Sequence, residues 1–157
     1  MKILGVDPGE TTGWCVYDGL AGRVTASGMF EKFYLPHVNA TPDFWKQEQV
    51  AIERPVAHGP TRPQVVECAR IEGRIVQSLE LRYGSARVYE ITRREVKSCL
   101  TAATNKDVVV TDDATAWAAL KLLHGEGCDK KGGALYGVKS HGRAALAVAY
   151  ALYLMKR

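Results

Sequence analysis

Apolar positions in the first third of the chain fall in short runs that favour strands. Lys2 to Val6 is one such run; it ends at Asp7 and reads as a buried strand. Pro8-Gly9 and Gly13 break it, Trp14 to Tyr17 resumes it, and Asp18-Gly19 closes it, which describes two strands joined by a tight turn. Val24 to Phe33 adds a third strand, and Tyr34 to Asp43 is a loop bearing Pro and Asn. Val50-Ala51-Ile52 leads into Glu53 and stops at Arg54-Pro55, a short buried strand ended by proline. His58 to Pro63 is a loop, with Pro63 suited to a first helical turn.

The period then changes. From Gln64 to Tyr83, Val65, Cys68, Ala69, Ile75, Val76 and Leu79 recur at helical spacing until Gly84. Arg87 to Ile91 reads as a strand. Thr92 and Glu95 form a capping box ahead of Val96 and Leu100. Thr111 to Leu123 is a helix capped by Thr111 or Asp112. Gly127 to Ser140 is a basic, Gly-rich loop, and Ser140 caps a last helix whose body, Ala144 to Met155, is almost wholly apolar. Strands in this order, with helices to cover both faces of a mixed central sheet, predict one α/β layered domain over 1–157.

Composition changes this picture little. With 157 residues, 46% apolar and 24% charged, the chain is long enough for one real core and is neither disordered nor a disulfide scaffold. A net charge of +4 permits a polyanionic partner without establishing one. Cys15, Cys68, Cys99 and Cys128 form no CxxC pair and no zinc-ligand spacing with histidine, so reduced, mostly buried thiols are expected. No secretory h-region and no apolar run of membrane length is visible, so the expectation is a cytoplasmic protein with no membrane partner.

The candidate chemistry lies at element ends. Asp7 ends the first strand, Glu53 the fourth, and His141 opens the last helix. Strand ends in an α/β sheet open onto the crevice where ligands bind. Two carboxylates and an imidazole converging there make a hard-cation site suited to Mg²⁺ or Mn²⁺. Taken singly, each residue is explained by a turn, a solvated strand end or a helix start.

Their surroundings carry a resemblance. Ile3-Leu4-Gly5-Val6-Asp7-Pro8-Gly9 with Thr12-Gly13-Trp14 resembles the opening of the RuvC-type Holliday junction resolvases, which are ribonuclease H-like nucleases. Ala51-Ile52-Glu53 is similar to that family's second acidic motif. Ala69-Arg70, Val88-Tyr89-Glu90-Ile91, Val96-Lys97, and Ser140-His141 with Ala145-Leu146-Ala147-Val148-Ala149 follow in the same order. The short length and the Gly-Val-Lys-Ser-His lead-in look like the phage-encoded branch, which would place the protein in a host-cell cytoplasm.

The resemblance implies a ribonuclease H-like fold and a crossover junction endonuclease that makes paired nicks in four-way or branched DNA. It implies a homodimer with an interface on the helix from Gln64, where Val66, Val76 and Leu79 serve either core or dimer. It implies two Mg²⁺ or Mn²⁺ ions per site, with Asp7, Glu53, position 141 and a carboxylate at 144 as ligands; Asp7 would bridge both ions. Here 144 is alanine. Either the fourth ligand comes from elsewhere, or Ala144 replaces aspartate in a chain that binds DNA without cutting it; the second reading is favoured. His141 is open between ligand and general base.

Lys97 and Lys106 match positions where the resemblance implies lysines near the scissile phosphate. Arg70, Arg74, Arg93, Arg94, Lys139 and Arg143 are further candidates for phosphate contacts, with Lys130 and Lys131 nearby. His58 stands where the family has an aromatic for stacking on an unpaired base. Two rivals remain: a ribonuclease H-like nuclease for another nucleic acid, and a junction-binding protein without catalysis. A kinase-like ATPase is unsupported, since no Gly-rich phosphate loop occurs.

Overall fold

The structure, a computed structural model, describes residues 1–31, 47–56 and 63–157. The loop expected over Tyr34 to Asp43 and the stacking candidate His58 fall outside the described residues. Five strands, β1 (Lys2–Asp7), β2 (Thr11–Asp18), β3 (Arg23–Glu31), β4 (Gln49–Arg54) and β5 (Val88–Thr92), form one sheet in the order β3-β2-β1-β4-β5. The β1–β2 and β2–β3 pairs are antiparallel, while β1–β4 and β4–β5 are parallel. The described helices are α1 (Pro63–Tyr83), α2 (Arg93–Ala103), α3 (Asp113–His124) and α4 (His141–Lys156).

Strand side chains alternate between faces, and the two faces are buried by different helices. Leu4, Val6, Trp14, Val16, Val50 and Ile52 pack with Ile71, Ile75 and Leu79 of α1. Ile3, Cys15, Tyr17, Ala51 and Ile91 pack with α2, α3 and α4. The mixed sheet with helices on both faces is as the sequence predicts. In α1, Leu79 belongs to the core, Val76 is partly buried against it, and Val66 is exposed. Cys15 and Cys128 are buried, Cys68 and Cys99 partly so, and all four are free.

Two local expectations are corrected. Gly13 does not break the strand but lies inside β2, paired with Asp7. Its lack of a side chain serves packing: a β-carbon there would overlap the backbone of His141 and stand 2.7 Å from its Cβ. Gly5 does the same for Ala145 and Ala149, so α4 sits directly against the sheet backbone. Ser140 occupies the N-cap of α4, but its hydroxyl makes no cap hydrogen bond. Its backbone has φ 42°, and the amides of Gly142 and Arg143 donate to the carbonyls of Lys139 and Ser140, which leaves the hydroxyl no first-turn partner. The caps at Thr92 and Asp112 are full capping boxes.

Candidate active site

Strand parity aims the acidic side chains. Asp7 follows Val6 and Glu53 follows Ile52, and Val6 and Ile52 are register partners on the α1 face. Asp7 and Glu53 therefore share the opposite face, at the carboxyl ends of adjacent parallel strands, under the start of α4. There His141 Nδ1 lies 3.3 Å from Asp7 Oδ2, and an ionised Asp7, which can only accept, takes its hydrogen bond from Nδ1–H. This hydrogen bond leaves Nε2 as the imidazole's acceptor. Asp7 and Glu53 are 17% and 13% exposed, whereas His141 is 48% exposed.

Two buried carboxylates side by side are hard to ionise. Burial, reinforced by the charge of Glu53, pushes Asp7 up to about 6, with His141 and Arg93 opposing. Burial also raises Glu53, and the attraction of Arg93 only partly offsets it. Arg93 Nη1 donates to both Glu53 oxygens at 3.1 Å, and Nη2 donates to Asp113 Oδ1. The two carboxylates hold that guanidinium firmly charged. Ala144 lines a cavity of about 10 Å³, the space of one water, together with Glu53, Arg93, Lys97, Asp112 and Asp113.

A larger groove of about 720 Å³ adjoins Glu53 and Arg93 between the first turns of α1 and α2. Gln64, Val65 and Cys68 line one wall, and Arg94, Lys97 and Ser98 the other.

The structure thus brings together Asp7, Glu53, His141, Ala144, Lys97, Arg93 and Arg94. Arg70 and Arg74 lie along the exposed length of α1, and Arg70 approaches Glu67 at 3.9 Å. Lys106 lies three residues beyond the C-terminus of α2, which itself runs about 9 Å past Lys97. Lys139 is exposed just before α4. Arg143 stacks over Trp117 at 4.6 Å and donates to the Val138 carbonyl, so it helps fix the start of α4. Sequence reasoning missed Asp113 and read Arg93 only as a phosphate contact. Asp113 carries no signal beyond opening a helix, because nothing local shows that α3 begins beside β4.

Among the described residues, no three His, Cys, Asp or Glu side chains are gathered closely enough to hold a metal ion as placed. The donor chemistry nevertheless suits a hard divalent cation at Asp7: a buried carboxylate, a second one beside it, and an imidazole nitrogen. Among the described residues no helix is long and apolar enough to cross a membrane.

The fold is the ribonuclease H-like α/β class. The T. thermophilus RuvC structure in complex with a Holliday junction substrate superposes with TM-score 0.66 at 18% identity, covering 100% of this chain and 95% of that one. The Fowlpox virus resolvase with Holliday junction DNA matches at TM-score 0.43 and 12% identity, over 99% of this chain and 98% of that one. No protein-family model matches the chain, and no curated protein sequence does.

Proposed function

We propose that the chain is a junction-selective DNA endonuclease of the RuvC type, dependent on Mg²⁺ or Mn²⁺ and acting as a homodimer. The observation that carries this reading is the meeting of Asp7, Glu53 and His141 on one sheet face, in a fold like that of T. thermophilus RuvC along its whole length.

Hydrolysis attaches a water oxygen to phosphorus and breaks the bond to the 3′-oxygen. A divalent ion at such a site supplies charge neutralisation and a more acidic water. The chain's own groups do the rest. Asp7 fixes the His141 tautomer through Nδ1–H, so Nε2 is free to take the water proton. Lys97 and Arg94 line the groove where a strand's phosphates would lie. A four-way junction has near-twofold symmetry, and paired nicks call for two equivalent sites. The exposed Val66 and Leu81 of α1 offer apolar surface for a second copy.

A synthetic four-way junction, a linear duplex and an RNA–DNA hybrid, each with Mg²⁺ or Mn²⁺, test the reading. Junction binding with slow nicking, faster in Ala144→Asp, is expected. Intact junctions with both proteins, despite binding, would leave a junction-binding protein without catalysis. Preferred cutting of the hybrid would favour the other ribonuclease H-like task.

A further inference from the structure

The acidic site already contains a cation supplied by the chain. Arg93 opens α2, and its guanidinium lies between Glu53 and Asp113, donating to three carboxylate oxygens of the pair. The carboxylate that could compete for this position from α4 is missing, because residue 144 is alanine and leaves only a water-sized cavity. Lys97 lines the same cavity and adds further positive charge. A divalent ion placed there would face a guanidinium and an ammonium beside three carboxylates, of which Glu53 and Asp113 already hold Arg93 and Asp112 caps its helix. The carboxylates it needs are already engaged. Asp7 neighbours this arrangement and feels the charges of Glu53 and Arg93, but its own hydrogen bond goes to His141.

We infer that Arg93 occupies the second cation position of the site, so that the chain takes one divalent ion, on Asp7, rather than a pair. This rests on the nuclease reading above for the ion's role, but not for its number. Magnesium is commonly held by one or two carboxylates, with water and substrate phosphate completing its shell, so a single ion on Asp7 is chemically sufficient. Arginine is apt for the other position: it stays charged at any working pH, and its planar fork matches two carboxylates.

The test is the number of Mn²⁺ ions bound per chain, read from the electron paramagnetic resonance of free Mn²⁺ during titration of the protein alone. Wild type takes one. Arg93→Gln takes two, because Glu53 and Asp113 are then uncompensated, and Arg93→Lys, which keeps a cation, takes one. Circular dichroism establishes that each variant is folded. Two ions or none on wild type overturns the inference, whatever the variants do; so does a folded Arg93→Gln that still takes one. A gel-shift on the four-way junction in EDTA separates the two readings. A chain that binds one Mn²⁺ but no junction refutes the nuclease and leaves the inference standing. A chain that binds and nicks the junction with two ions does the reverse.

Discussion

Gly13 and His141 touch: the glycine Cα lies so close beneath the first residue of α4 that a β-carbon would overlap the histidine backbone. Gly13 is also the ladder partner of Asp7. One small residue in β2 therefore sets the height of the helix at the point where its histidine meets the strand-end carboxylate. Gly13→Ala must lift α4 or bend β2. Overpacking against backbone costs about 1–3 kcal/mol, so the melting temperature should fall by roughly 2–10 °C. Junction nicking should fall further than stability accounts for, because Asp7 and His141 separate. Differential scanning calorimetry beside a nicking assay checks both, and an unchanged melt would contradict the contact.

Asp7 makes stability depend on pH. Its pKa in the fold, about 6, lies above the ordinary carboxylate value of 3.8. Protons are then bound more tightly by the folded chain, so its stability contribution is full below about pH 3.8 and is lost as pH rises through 6. A shift of this size corresponds to about 3 kcal/mol. Asp7→Asn, which cannot ionise, should melt several degrees above wild type near pH 7.5, with the two melts converging near about pH 3.5. The same substitution should abolish nicking. Mn²⁺ should raise the wild-type melt near neutral pH and leave Asp7→Asn unmoved. A variant no more stable than wild type at neutral pH would show that Asp7 is not strained by its burial.

How much of this was legible in the sequence follows from how local each signal is. The strands, the capping box at Thr92 and the helix from Pro63 were readable because period, cap and proline act within a few residues. Asp7, Glu53 and His141 were readable as element ends, and parallel pairing of β1 with β4 brings such ends together. Gly13 was misread as a break, because a glycine that admits a helix looks the same in sequence as one that ends a strand. Arg93 and Asp113 were missed as partners because they are twenty positions apart and meet only through the packing of α2 and α3. Lys106 matches the family's position less well than Lys97, because the stretch between them is shorter here, and it lies past the end of α2, outside the groove's lining.

That difference between the lysines predicts different salt behaviour. Each phosphate contact on duplex DNA contributes about 0.9 to the slope of log affinity against log salt. Lys97→Ala and Arg94→Ala should each reduce the slope for a four-way junction by about that amount. Lys106→Ala should change it less. Fluorescence anisotropy over a range of NaCl concentrations measures the slopes. Equal losses at Lys97 and Lys106 would place the DNA along the whole of α2 rather than across its first turn.

Ser140 holds the last lever on the site. Its φ of 42° and ψ of −127° fall where a side chain is costly, and the hydroxyl gains no cap bond in return. Such conformations cost on the order of 1–3 kcal/mol in residues other than glycine. They persist where the surroundings fix them, and here the surroundings are the low seating of α4 on Gly5 and Gly13 and the stacking of Arg143 on Trp117. Ser140→Gly relieves the strain but gives the unfolded chain more freedom, about 0.5–1 kcal/mol in the opposite sense. The net effect should be a melting temperature raised by a few degrees, with His141 still beside Asp7 and nicking preserved. Ser140→Ala keeps the β-carbon and removes only a hydroxyl without a cap partner, so it should melt like wild type. A clear loss of stability in Ser140→Ala would mean that the hydroxyl does cap the helix.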